Sequence, residues 1–335
     1  MNDLDDDRLP PGKKTRPYHR KRRVKRPRTT PAGEHVGVLP VEVAERLALR
    51  SGQIAVDCTL GFAGHACTLL SAVGPTGLLI AFDLDAGNIP AATERLAAIG
   101  DNFRIHHANF AGLRGVLAGE GIEHVHAVLA DLGMSSMQLD DRERGFSLLR
   151  DGPLDMRMDV SRGRTAAELL NTLSETELST AFRELGDEPE ADLIAAAIVN
   201  GRATHPFERT SELTMLIEAV APVTVVLGPG RPLARKQRLA PATRVFQALR
   251  MLVNRESANL QSLLRTLPAV LAPRGTAAII SFHSGEDRLV KAAFKDGLAA
   301  GVYSAVSDDP IRPTLDERTA NPRSRSAKLR WAVRA

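Results

Sequence analysis

The sequence predicts an α/β fold: a parallel sheet covered on both faces and interrupted by a helical insertion. Short apolar runs alternate with amphipathic stretches from Gln53 to Asp131. The stretch from Asp131 to Gly275 is almost wholly of helical period, and the next run of strand type begins only at Gly275. Short strands alternating with helices require crossover connections, and hence parallel pairing.

In chain order, a lead-in from His35 to Leu39 runs into an amphipathic helix at Pro40–Leu49. Strands are expected at Gln53–Asp57, Gly77–Asp83, Phe103–Ala108 and His124–Asp131, with helices between them at Gly64–Ala72, Ile89–Ala98 and Leu113–Glu120. Further helices are expected at Thr165–Leu185, Ala191–Gly201, Ser211–Ala221 with Ser211 as N-cap, and Ala242–Leu267. Gly275 reads as the stop signal before a last strand, Gly275–Phe282. The expected organisation is a basic disordered tail over residues 1–33, a sheet domain from 34–145 and 242–335, and a helical domain of 146–241 inserted into it. The basic loop Gly228–Ala240 (GPGRPLARKQRLA) lies at the end of that insertion.

With 335 residues, 43% of them hydrophobic and 25% charged, the composition is that of a soluble globular protein. No apolar run approaches the roughly 20 residues of a membrane span. Four Asp in the first seven residues, with no apolar run after them, argue against a secretory signal or an organellar presequence, so a cytoplasmic protein is expected. Cys58 and Cys67 are the only cysteines, which speaks against a disulfide framework or a cysteine zinc site, and no cluster at ligand spacing suggests a metal. The net charge of +4 is uneven: residues 1–33 hold 11 Lys/Arg against 4 Asp/Glu. So charged a segment buries too little apolar surface to fold alone, and suits a flexible arm on a polyanion.

Chemistry concentrates first at VDCTLGFAGHA (Val56–Ala66). An apolar strand ending in Asp57, a turn containing Gly61, and a helix opening with free N–H groups suit an adenosine-bearing ligand. Asp83 ends the second strand 22 residues after Gly61, where a carboxylate accepts from ribose hydroxyls. A dinucleotide fingerprint needs glycines at 61, 63 and 66, but Ala63 and Ala66 stand at the last two. That favours a sulfonium methyl donor, which has no pyrophosphate to cradle, over a nicotinamide dinucleotide.

Past the fourth strand the chain reads DLGMSSMQLDDRERGFSLLRDGPLDMRMD (Asp131–Asp159), then ATRVFQALRMLVN (Ala242–Asn254), ISFHSGEDRLVK (Ile280–Lys291) and NPRSRSAKLR (Asn321–Arg330). With DCTLGFAGH these blocks closely resemble the RsmH (MraW) family of bacterial 16S rRNA (cytosine-N4)-methyltransferases, from about His35 to Arg330. The resemblance implies a class I (Rossmann-like) S-adenosylmethionine methyltransferase sheet with an inserted helical domain. It implies S-adenosyl-L-methionine as cofactor, 16S rRNA within the small ribosomal subunit as partner, and N4 of a cytidine in the decoding region as target. It assigns Ala63, Gly64 and His65 to the methionine end of the donor, Asp83 to the ribose, Phe110 to the adenine, and Asp131 and Gln138 to the pocket beside the sulfonium. The chain departs from the family at Phe62 and Ala63, where glycines are usual, at Gly37, usually Pro, and at Gly285, usually Leu. A left-handed backbone at Ala63 is strained by its Cβ.

Asp131, at the carboxyl end of the fourth strand, is the candidate acceptor for the amino protons, with Ser135 or Ser136 as additional acceptors. His65 lies on the turn, and His283 at the end of the last strand points to the crevice. Phe146 and Phe282 are candidates for stacking on an extruded base, and Arg323, Arg325 and Lys328 for phosphate contacts. Asp155 and Asp159 read as ion-pair partners for Arg157 or Arg144, and Met156 and Met158 as packing residues. The alternatives are a non-catalytic ribosome-assembly or RNA-binding protein of the same fold and, less favoured by the basic segments, a small-molecule amine methyltransferase. The helical insertion offers a surface for a homodimer.

Overall fold

A computed structural model describes residues 37–222 and 240–335. The basic tail over 1–33 and nearly all of the Gly228–Ala240 loop lie outside the described residues. The elements are α1 (Pro40–Leu47), β1 (Ile54–Asp57), α2 (Gly64–Val73), β2 (Leu78–Asp83), α3 (Ile89–Ala97), β3 (Phe103–His107), α4 (Leu113–Gly119) and β4 (Val125–Asp131), then α5 (Ser136–Asp140). There follow α6 (Ala166–Thr172), α7 (Glu175–Gly186), α8 (Ala191–Arg202), α9 (Thr210–Val220), α10 (Pro241–Val253) and α11 (Glu256–Val270). The chain closes with β5 (Leu271–Ser281), α12 (Ser284–Ala299), β6 (Tyr303–Val306), α13 (Leu315–Ala320) and β7 (Lys328–Arg334).

The strands form one sheet in the order β3-β2-β1-β4-β5-β7-β6. Strands β1 to β5 are parallel, and β7 pairs antiparallel with both β5 and β6. This is the class I, Rossmann-like α/β sheet expected. Its strands are apolar on both faces. Ala55, Leu79, Ala81, Ala127 and Leu129 join α1, α2 and α3 in one core, whereas Val56, Ile80, Phe82, Val128 and Ala130 join α4, α11 and α12 in the other. Side chains alternate between faces, so each strand feeds two cores and reads as a nearly continuous apolar run. A third core lies among α6 to α10 and takes in Phe146, Leu154 and Met156. The buried face of α10 thus packs with the insertion helices, although the sequence reading began the returning sheet domain at Ala242.

Several expected boundaries move, each for a local reason. The run Thr165–Leu185 is two helices, because Ser174 caps α7 and Glu177 reaches back to the Ser174 N–H. The run Ala242–Leu267 breaks at Asn254–Arg255, where Arg255 adopts a left-handed φ of 53°. Helix α9 begins at Thr210 and Ser211 is inside it, its N–H given to Asp151. Gly275 ends no helix. It lies within β5, where an added Cβ would meet the Ala272 carbonyl oxygen at 2.8 Å, beside the register shift between Val125 and Ala127. Strands β6 and β7 went unread, because charged Lys328, Arg330 and Arg334 mask the apolar alternation.

Candidate functional site

The carboxyl ends of β1, β2, β4 and β5 open on one crevice, as parallel sheets of this kind require of a ligand site. The turn from β1 to α2 forms its floor. Gly61 has φ +49°, and Ala63, fully buried, adopts φ 60° and ψ 23°. The sequence reading of strain at Ala63 therefore holds: a Cβ in the left-handed region costs about 1–2 kcal/mol. Helix α2, opening at Gly64, has no side-chain cap, so its first turn leaves N–H groups without a side-chain acceptor. An Ala63→Gly variant is expected to melt at the same temperature or a few degrees higher. Relief of the strain is partly offset by about 0.4–1 kcal/mol of unfolded-state entropy, and calorimetric Tm checks it.

Asp57, His65 and Asp131 gather beside this turn. Thr59 links two of them: its N–H donates to Asp57 Oδ1 at 2.9 Å, and its hydroxyl accepts the Asp131 N–H at 2.7 Å. His65 Nε2 lies 3.8 Å from Asp131 Oδ2. Burial pulls the His65 pKa down to about 4, only partly opposed by its hydrogen bond to the Val38 backbone, so the ring is neutral at pH 7. Burial likewise raises Asp57 to about 7, and raises Asp131 far above the usual carboxylate range with help from the charges of Asp57 and Glu286. Asp57 Oδ2, His65 Nε2 and Asp131 Oδ1 are buried without hydrogen-bond partners. Three buried unpartnered polar atoms on these neighbouring residues suit a cationic ligand that brings N–H donors and favours the ionised carboxylates. The His65 ring also fills space a side chain at position 37 would take, since a Cβ on Gly37 would come within 2.5 Å of Nε2.

These carboxylates give binding of a cation a definite pH sign. A raised folded pKa means that the unliganded protein is destabilised as pH climbs from the unfolded value near 3.8 to about 7 for Asp57. A cationic ligand favours the ionised form. The Asp57 contribution to its affinity is therefore expected to increase up to about tenfold per pH unit below about 7 and to level off above it, with protons released on binding. Calorimetry in two buffers of different ionisation enthalpy reads that release, and pH-independent affinity would exclude Asp57 from the site.

Asp83, at the end of β2, already has three partners. Its Oδ2 accepts from the Gly61 N–H at 2.8 Å and from Asn88 Nδ2 at 3.2 Å, and its Oδ1 from the Asp85 N–H at 2.7 Å. It thus holds the glycine turn in place and keeps spare acceptor capacity. Gln138 is buried and caps α5 reciprocally with Ser135; its Nε2 donates to Asp85 Oδ2 at 3.1 Å, where Arg144 Nη1 also donates at 2.7 Å. Phe110, in a 3-10 turn at Phe110–Gly112, is partly buried against the second sheet face.

Other expected residues are placed differently. Phe146 is buried in the third core, so it is no stacking surface. Phe282, half-buried, packs against the core shared with α1 to α3 and beside Gly133. His283 caps α12, with Nδ1 accepting the Glu286 N–H and Nε2 3.2 Å from Glu286 Oε1, so both ring nitrogens face Glu286 rather than the open crevice. Lys328 reaches Asp287 at 3.1 Å beside Arg330, also on Asp287 at 2.7 Å. That leaves Arg323, 3.5 Å from Asp140, and exposed Arg325 as the cations on the surface of that block. Arg157 pairs with Asp155 and Arg162 with Asp159, whereas Arg144 turns to Asp85. The sequence reading missed Asp85, Arg250, Glu256 and Glu286. The second acid of FDLD was the available signal for Asp85. Arg250 and Glu256, six residues apart across the break between α10 and α11, form a partly buried bidentate pair.

Among the described residues no group of three His, Cys, Asp or Glu is placed to hold a metal ion, and no helix is long and apolar enough to cross a membrane. Residues 32–335 match the family model described as the MraW methylase family. The chain is 43% identical over 311 residues to ribosomal RNA small subunit methyltransferase H 1 of Lachnoclostridium phytofermentans, covering 92% of this chain and 83% of that protein. It is 44% identical over 312 residues to ribosomal RNA small subunit methyltransferase H of Geobacter sp. strain M21, covering 88% and 97%. The protein of that name from Koribacter versatilis is 41% identical over 308 residues, covering 90% and 94%. On both the family match and these identities, the chain belongs to the MraW methylase family.

Proposed function

We propose that the protein transfers a methyl group from S-adenosylmethionine to N4 of a cytidine in the decoding (P-site) region of 16S rRNA, acting on the small ribosomal subunit in the bacterial cytoplasm. The observation that carries the reading is the orphaned set of Asp57 Oδ2, His65 Nε2 and Asp131 Oδ1 beside the Gly61–Ala63 turn. Family membership and the relatives' names support an rRNA substrate. Gly61, Ala63, Gly64, His65, Asp83, Phe110, Asp131 and Gln138 hold the donor, with Asp83 taking the ribose and the free N–H groups of α2 the carboxylate of the methionine end. When bound, the donor supplies a methyl group on a positively charged sulfur, which keeps the bonding pair as the methyl moves to nitrogen.

The protein's own part is acid–base and geometric. The cytosine amino lone pair is delocalised into the ring, so the nitrogen must pyramidalise to attack. Asp131 holds its N–H bonds and accepts the proton that the nitrogen loses. The donor's positive charge favours the ionised carboxylate, which then has the proton affinity the task needs. Arg323 and Arg325 hold phosphates near the crevice, and the basic tail over residues 1–33 adds contacts without sequence preference.

Small subunits from cells lacking the modification, labelled S-adenosylmethionine and nucleoside analysis test the reading. N4-methylcytidine formed by the intact protein is the expected result. Binding of the subunits without methyl transfer would overturn it in favour of an assembly protein that has kept the fold.

A further inference from the structure

A buried carboxylate outside the donor contacts named above ties the donor side of the crevice to the helical insertion. Asp85, 7% exposed, accepts from the Gly87 N–H at 3.1 Å through Oδ1, and from Gln138 Nε2 and Arg144 Nη1 through Oδ2. Its own N–H donates to Asp83, which holds Gly61. Arg144 then spans a gap. Its Nη2 donates to the carbonyls of Arg157 and Met158, at 3.0 Å each. The same loop is gripped from the other side by Asn254, which accepts the Met158 N–H at 2.7 Å and donates to the Met156 carbonyl at 2.7 Å. Between the two grips Met156 is fully buried in a left-handed conformation, φ 60°, a backbone that persists only where its surroundings hold it. One run of hydrogen bonds therefore leads from the glycine turn through Asp83, Asp85 and Arg144 to the α10–α11 junction.

We infer that Asp85 and Arg144 are positioning residues for methyl transfer, a latch that fixes the Asp131–Gln138 wall of the crevice against the insertion. The inference rests on the methyl-transfer reading above. Asp131 stands on that wall, and the 155–158 loop belongs to the insertion's core, so their relative placement sets the alignment of amino group and donor. An error of about 1 Å in such alignment costs on the order of 10²-fold in rate. Lysine cannot replace Arg144, because an ammonium lacks the planar fork that reaches a carboxylate on one side and two carbonyls on the other.

The test measures kcat, the KM for subunits, the calorimetric Kd for S-adenosylmethionine and Tm in Arg144→Lys, Asp85→Asn and the double variant. The expected result is kcat reduced about 10- to 100-fold in each single variant, with donor Kd within about threefold and the double variant no slower than the worse single, because both cut one latch. A kcat near wild type in Arg144→Lys would overturn the inference. So would donor affinity and kcat falling in equal proportion, or single effects that multiply in the double variant. Arg144→Lys keeps the charge and most of the packing, so it stands as the folded variant if Asp85→Asn fails to accumulate. Should wild-type protein methylate a different atom or RNA, the same rates are read on that product, and the latch is judged separately from the identity of the substrate.

Discussion

Asp131→Ala is expected to lower kcat by about 10²–10⁴-fold, the range of a lost general base, with subunit binding retained. Asp131→Asn is the sharper variant. It preserves shape and one acceptor oxygen, and removes both the proton acceptor and a negative charge. Two of the causes that push the Asp131 pKa up are repulsive, from Asp57 and Glu286, and burial exceeds both. In the empty site these causes favour the protonated carboxyl; the positive charge of the bound donor favours the ionised form, and only that form accepts the amino proton. Single-turnover rates on small subunits decide the matter: a rate within about threefold of wild type would remove Asp131 from the proton transfer and leave it as a donor contact.

Asp83→Ala is expected to cost about 2–4 kcal/mol of stability, and to abolish measurable donor binding. Three donors, the Gly61 and Asp85 N–H groups and the Asn88 amide, lose their acceptor together. Each buried donor left unmade costs about 1–3 kcal/mol, reduced here because the carboxylate is itself costly to bury. Burial does raise the Asp83 pKa, against three hydrogen bonds that lower it. At about 2–4 °C per kcal/mol for a body of this size, Tm falls by roughly 10 °C. Asp83→Asn separates the two roles, since it keeps the volume: stability recovers in part, while donor Kd stays raised about 10- to 100-fold by loss of a charged acceptor. Equal donor affinity in Asp83→Asn and wild type would confine Asp83 to holding the turn.

Much of the site could be read before any coordinates because its signals are local. The Gly61–Ala63 turn, the acid at the end of β2 and the acid at the end of β4 lie where short apolar strands stop, and strand period is a property of neighbouring residues. The strain at Ala63 was also readable, from a Cβ in a turn usually built of glycine. The residues placed wrongly share a different feature. Phe146, His283 and Lys328 were assigned outward roles on residue type and neighbourhood, and each is used inward, by the third core, by the α12 cap and by Asp287. A ring or a charge carries no mark of the partner it will meet.

The sequence by itself determined the α/β class, the succession of β1 to β4 along the chain, and the family. It did so because periodicity, turn residues and long contiguous motifs act within a few residues of one another. Only the tertiary structure decided the antiparallel return of β7 between β5 and β6, the gathering of Asp57, His65 and Asp131 from β1, α2 and β4, and the latch of Asp85 on Arg144. Asp131 stands tens of residues from Asp57 and His65, as Arg144 does from Asp85, and their contact depends on which faces the apolar cores draw together. Burial then raises the carboxylates and silences the histidine, and burial is a property of the packed molecule alone.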